Sequence, residues 1–119
     1  MKRHTTRSLR KIKKDDESKL INMLTCYDFQ TAQMLNETDL DLILVGDSLG
    51  NVILGYDNTV KVSIDEMATF GAAVKRGAPD KFVVVDMPFG TYINKDEALT
   101  NAVKVYQETN AAAIKIEGG

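Results

Sequence analysis

Leu40-Asp41-Leu42-Ile43-Leu44-Val45-Gly46-Asp47 decides how this chain is read. From Leu40 to Gly46 the run is dense in branched aliphatics, has no helical period, and closes on an acid. Such a run reads as a strand buried on both faces, the habit of parallel sheets. Two later stretches have the same shape. Phe82 to Asp86 ends in an acid and is halted by Pro88, and Ala112 to Glu117 ends in an acid followed by Gly118-Gly119. A shorter apolar stretch, Leu20 to Cys26, comes first.

Helical signals separate these strands. Asp28 to Glu37 reads as a helix with Phe29, Ala32 and Leu35 turned inward. Ser63 with Glu66 forms a capping box, and Gly77 falls where a left-handed cap is expected. Asn94 with Glu97 opens a third helix, running to about Thr109 and burying some combination of Ala98, Ala102, Val105 and Tyr106. The loop from about Ser48 to Val62 is long enough to suggest a functional or partner-contacting role. The order β-α-β-α-β-α-β predicts parallel strands with right-handed crossovers. No repeat, low-complexity tract or linker interrupts it, so residues 1–119 read as a single domain. The chain stops on a strand, and an open strand edge is a liability for a free-standing protein.

The composition fits an ordinary globular chain, 44% hydrophobic and 27% charged. No run of 18 apolar residues is present, which argues against a membrane span. The basic N-terminus lacks the apolar stretch of a secretory signal, and the single cysteine, Cys26, has no internal partner. A cytoplasmic protein is expected. The net charge of -2 hides an asymmetry: residues 1–14 carry seven Lys or Arg and no acid, leaving a net of -9 on the rest. A basic tail can signal nucleic acid, but here no aromatic is interleaved and the acidic body would repel phosphates. The segment 1–14 reads as a solvated basic helix or tail, with Leu9 and Ile12 as i, i+3 neighbours able to dock on the body.

Chemistry is expected where the acids fall. Asp47 follows the second strand, Asp86 ends the third and Glu117 ends the fourth. C-terminal strand ends form the binding face of parallel α/β folds, and neighbouring strands lie about 4.8 Å apart. Three carboxylates crowded there are costly unless a cation neutralises them or one is protonated, and an all-oxygen set without histidine suits Mg²⁺. Period two puts Ala113, Lys115 and Glu117 on one face and Phe82, Val84 and Asp86 on another strand's face. Ile43, Val45 and Asp47 are expected to share that interior. Lys115 is then placed to hold a substrate carboxylate or oxyanion. One Asp after a strand is more often a turn or cap residue; three in succession, with a lysine in face, are harder to dismiss. Cys26 reads as a packed residue rather than a nucleophile, because His4, the only histidine, lies in the tail. Tyr27-Asp28 could orient a ligand, though Asp28 could equally cap the helix. Dinucleotide and NTP sites are disfavoured: the turn Cys26-Tyr27-Asp28-Phe29 has no glycine, and Gly46, Gly50 and Gly55 come after strand two.

Four stretches carry a resemblance. Met23-Leu24-Thr25-Cys26-Tyr27-Asp28, Asp41 to Gly50, Asp86-Met87-Pro88-Phe89-Gly90 and Lys115-Ile116-Glu117-Gly118-Gly119 resemble ketopantoate hydroxymethyltransferases, in order and at matching spacing. Leu54-Gly55-Tyr56-Asp57 and Arg76-Gly77-Ala78 fit as well. The resemblance implies part of a TIM (β/α)₈ barrel, about the first three βα units plus the fourth strand, all parallel. It implies Mg²⁺ ligands at Asp47, Asp86 and Glu117, and 2-oxo acid binding by Asp47, Ser48, Asp86 and Lys115. The implied reaction moves a hydroxymethyl group from the co-substrate 5,10-methylenetetrahydrofolate to 3-methyl-2-oxobutanoate through a Mg-chelated enolate, in a homo-oligomer. The family's general base, a glutamate, is expected beyond Gly119, so no catalytic base is assigned here. Thr38-Asp39 and Asn110 stand where relatives often carry Ala-Gly and Gly; Asn and Asp tolerate left-handed backbone better than most. Two alternatives remain: an inactive truncated chain or half-barrel subunit needing a partner, and a lyase of the same barrel superfamily acting on another 2-oxo acid.

Overall fold

A computed structural model of the chain describes residues 3–15 and 20–117. Its centre is a parallel sheet of β1 (Met23–Thr25), β2 (Leu42–Val45), β3 (Phe82–Asp86) and β4 (Ala113–Lys115), in that spatial order. Each strand follows the last by a helical crossover: α2 (Phe29–Asn36), α4 (Ile64–Gly77) and α5 (Lys95–Thr109). A basic helix, α1 (Thr6–Asp15), precedes them. This sequential, all-parallel order is that of the opening part of a (β/α)₈ barrel. Among the described residues no helix is long and apolar enough to cross a membrane.

The register decides which face is the core. Ile43 lies beside Val83, and Val45 beside Val85, which lies beside Ile114. In-register neighbours share a face, and here that face meets the helices. Ile43, Val45, Val83 and Val85 are fully buried with Ala32, Met67, Val74 and Val105. The opposite face carries Leu42, Leu44, Val84 and Ala113, all half-buried, and Phe82, which is buried. Strand two is therefore not buried on both faces, as its composition suggested. The phase expected for Asp47 is also corrected. Ile43 and Val45 belong to the helix side, whereas Asp86 and Lys115, in register with each other, belong to the opposite side. Asp47 still reaches the strand ends because β2 stops at Val45, and the turn there, with Leu49 N donating to Gly46 O at 3.1 Å, frees it from the alternation.

The caps follow the sequence closely. Asp28 starts α2 by accepting from the Thr31 amide at 2.9 Å. Ser63 Oγ accepts from Glu66 N at 3.1 Å while Glu66 Oε1 accepts from Ser63 N at 2.9 Å, a closed capping box at the head of α4. Asn94 Oδ1 accepts from Glu97 N at 2.8 Å, and α5 ends at left-handed Asn110, φ 55°. Gly77 differs from expectation. It is the last residue of α4, not a left-handed cap, and a Cβ on it would stand 2.6 Å from the Phe29 carbonyl oxygen and 2.8 Å from the Ala32 Cβ. That close approach of α2 to α4 runs through Ala32 and backbone, so the Phe29 ring is exposed rather than inward. On α5, Val105 is buried and Tyr106 is exposed. The segment from Ser48 to Val62 holds the short helix α3 (Leu49–Val52) and a 3-10 turn (Thr59–Lys61), tied to α4 by the Tyr56 hydroxyl on Glu66 at 2.8 Å.

On helix α1, Leu9 and Ile12 are half-buried. Ahead of it, Arg3 meets Asp80 at 3.1 Å, and His4 bridges Ser8 Oγ at 3.2 Å and Asp41 at 2.9 Å. His4 is thus a tether to the entry of β2. Gly118-Gly119, expected to close the last strand, lie outside the described residues.

Candidate active site at the strand ends

Beyond the C-terminal ends of β2, β3 and β4 lies a cleft of about 170 Å³, lined by Asp47, Thr59, Asp86, Met87, Phe89, Tyr92, Lys115 and Glu117. Its floor is Asp86, the last residue of β3 and only 9% exposed. Asp86 Oδ2 accepts from the Asp47 backbone amide at 3.1 Å. Asp86 Oδ1 is buried and accepts no hydrogen bond, with the Lys115 ammonium nearest at 3.5 Å. A buried carboxylate oxygen without a hydrogen bond is costly, so this position is built for a cation or for a donor brought by a ligand.

Lys115 closes β4 in register with Asp86 and reaches Glu117 Oε1 at 2.7 Å. That bond holds the Lys115 ammonium above its ordinary value and pulls the Glu117 carboxyl below its own. The Asp47 carboxyl goes the other way. Partial burial raises it first, and the charges of Asp86 and Glu117 raise it further, against the opposing pull of Lys115. A negative potential therefore collects at the mouth of the cleft, which one lysine only partly offsets.

Of the residues expected from the sequence, Asp47, Asp86, Lys115 and Glu117 all line this cleft. The three acids do not meet as a ready cage: among the described residues no three Asp, Glu, His or Cys side chains are arranged to hold an ion. Glu117, its side chain 80% exposed, is paired with Lys115 instead. The donor set nonetheless fits Mg²⁺ in chemistry: oxygen only, one oxygen lacking a hydrogen bond, and one carboxyl strained by its neighbours. Ser48 does not line the cleft; its Oγ is held by the Tyr27 hydroxyl at 2.6 Å. A Cβ on Gly46 would sit 3.4 Å from both Ser48 Oγ and Asp86 Oδ2, so this glycine keeps the space between them clear.

Two contributors were not foreseen. Tyr92 lines the cleft and its hydroxyl donates to the Glu117 carbonyl at 2.6 Å, strapping the β3–α5 loop onto the end of β4. Thr59 enters from the 3-10 turn. Both sit in irregular segments, where no period in the sequence points inward. Cys26 is buried, and burial pushes its thiol up, in keeping with a packed residue rather than a nucleophile.

The chain matches the family model described as ketopantoate hydroxymethyltransferase over residues 3–119. It is 50% identical over 115 residues to the 3-methyl-2-oxobutanoate hydroxymethyltransferase of Staphylococcus epidermidis, 96% of this chain and 42% of that protein. It is 53% identical over 97 residues to the enzyme of that name from Tropheryma whipplei, covering 81% of this chain and 36% of that one. The chain thus spans about two-fifths of the length of these curated relatives. Among solved structures, 2,3-dimethylmalate lyase, a PEP mutase/isocitrate lyase superfamily member, superposes with a TM-score of 0.68 at 16% identity, over 92% of this chain and 39% of that one. At that identity the likeness speaks for the fold alone, a partial (β/α)₈ barrel.

Proposed function

We propose, for a chain that belongs to the ketopantoate hydroxymethyltransferase family, that its cleft binds the 2-oxo acid in hydroxymethyl transfer from 5,10-methylenetetrahydrofolate to 3-methyl-2-oxobutanoate, the step that yields ketopantoate for pantothenate synthesis. The observation that carries this reading is Asp86: nine-tenths buried, one oxygen held by the Asp47 amide, the other facing Lys115 with no hydrogen bond. Asp47, Asp86 and Glu117 would hold Mg²⁺. Bound there, the ion would polarise the ketone and carboxylate oxygens of the 2-oxo acid and ease loss of its C3 proton.

The chain's own residues do the rest of the binding. Among the described residues, Lys115 is the one cationic side chain lining the cleft, and it suits the substrate carboxylate. The Ser48 hydroxyl, hydrogen-bonded to the Tyr27 hydroxyl, would add a polar group near the site. Phe89 and Tyr92 bring apolar surface beside Lys115, where the branched alkyl end of the acid can lie. The proton at C3 needs a base. Among the described residues, the acids lining the cleft are those that would hold the ion, which leaves none over as the base, and this polypeptide alone is expected not to turn over. The half-exposed sheet face, flanked by the outer edges of β1 and β4, favours action within a larger assembly, a homo-oligomer or a completed barrel.

The test is calorimetric titration of 3-methyl-2-oxobutanoate into the chain with and without Mg²⁺. Binding is expected only with Mg²⁺, and Asp86→Asn should reduce it at least about tenfold by removing a buried charge from the cation site. Equal binding with the ion absent, or with Asp86→Asn, would refute the reading.

A further inference from the structure

We infer that Lys115 is the site's resident counter-ion, competing with the divalent metal for Asp86 and Glu117 and released for the substrate carboxylate only when the metal enters. The inference rests on the cation-site reading above and adds an order of events to it. Three observations carry it. Lys115 Nζ lies 2.7 Å from Glu117 Oε1 and 3.5 Å from Asp86 Oδ1, so one ammonium spans two of the three acids. Asp86 Oδ1 is buried and accepts no hydrogen bond, and among the described residues that ammonium is the cation paired with it. Finally, the side chain of Glu117 is 80% exposed, and Tyr92 holds only its main-chain carbonyl, so the carboxylate is held by the Lys115 ammonium alone among the described residues.

The physical consequence runs against the usual sense of a site mutation. A lysine kept only for structure would, when removed, loosen the site and weaken the metal. A lysine competing for the same carboxylates repels the incoming ion and must first give up its own ion pairs, so its removal tightens the metal. The released ammonium then lies beside two satisfied carboxylates with its charge unspent, ready for an anionic ligand. Metal before 2-oxo acid becomes the built-in order.

The experiment is titration of MgCl₂ alone into the full 119-residue chain, into Lys115→Met and into Lys115→Arg, with circular dichroism and thermal melts on each. Lys115→Met is expected to bind Mg²⁺ at least about fivefold more tightly than the natural chain, the factor a partly exposed ion pair is worth. Lys115→Arg, still cationic, should stay near the natural affinity. Independently of any variant, the lysine ¹⁵Nζ resonance of the natural chain should show its salt-bridged ammonium signal lost as Mg²⁺ is added. Unchanged or weaker Mg²⁺ binding by a folded Lys115→Met overturns the competition while leaving the metal site standing. A ¹⁵Nζ signal untouched by saturating Mg²⁺ overturns it too, even where Lys115→Met fails to fold. No Mg²⁺ binding by any of the three chains removes both the competition and the cation-site reading beneath it.

Discussion

At the scale of single residues, two glycines of α4 separate conformational from contact reasons for lacking a side chain. Gly to Ala inside a helix ordinarily gains up to about 1 kcal/mol of propensity. At Gly77 the added Cβ would meet a carbonyl oxygen at 2.6 Å and Ala32 Cβ at 2.8 Å, which only a shift of α2 can relieve. At Gly71 it would meet methyl groups of Thr109 and Val85 at 3.0 Å, side chains that yield by a few tenths of an ångström. Gly77→Ala is therefore expected to cost about 1 to 3 kcal/mol net in urea denaturation, and Gly71→Ala distinctly less. Equal costs would mean that α2 and α4 are not in this contact. Gly77 was noticed in the sequence for the wrong reason: a glycine near a helix end signals a left-handed cap, while close approach to another helix leaves no local mark. Tyr27 shows the same limit, since its bond to Ser48 joins positions 21 residues apart.

Asp28 gives a residue-scale dependence on pH. Hydrogen bonds from Thr31 hold its carboxyl below its ordinary value. A depressed folded-state value stabilises fully above the unfolded value of about 4 and is lost as pH falls through the lowered one. Asp28→Asn keeps a cap acceptor without the titration. It should match the natural chain near pH 7 within a few tenths of a kcal/mol and lose less stability between about pH 4 and pH 2. Denaturation midpoints across that range check it; parallel curves for the two chains would refute the cap's share in acid sensitivity.

At the scale of elements, helix starts were legible because caps are local. Ser63 and Glu66, or Asn94 and Glu97, stand three residues apart, and both pairs formed bonds where their spacing said they would. Ser63→Ala should cost about 1 kcal/mol, read in the same denaturation experiment. The end of α5 was legible too: Asn110 is left-handed at φ 55°, where glycine is cheaper, so Asn110→Gly is expected to stabilise by a few tenths of a kcal/mol and Asn110→Ala to destabilise. Strand phase was not legible. Leu42-Ile43-Leu44-Val45 is apolar throughout, so nothing local tells the helix-facing pair from the other. Only the pairing of Ile43 with Val83 decides, and pairing lies 40 residues away. Asp47 lines the cleft despite that error, because it lies in the turn after β2, where strand alternation no longer binds it.

At the scale of the whole molecule, the sheet has one finished face and one unfinished. Val83 is fully buried beneath the helices; its neighbour Val84 is only half-buried on the face from which Asp86 rises. Val to Thr preserves shape and adds a hydroxyl, so the pair reads the environment of each face directly. Val83→Thr should cost about 1 to 3 kcal/mol for a buried hydroxyl lacking a partner. Val84→Thr should cost less than about 0.5 kcal/mol in the isolated chain, where water reaches that side. If both variants cost the same in dilute solution, the second face is covered there. Sedimentation at rising concentration then tells a second copy, whose coverage grows with concentration, from a closed arrangement within one chain, whose coverage does not. The unequal result would show that the helix side alone holds these four strands together. It would leave the face beside Asp86 and Lys115 open to water in the isolated chain.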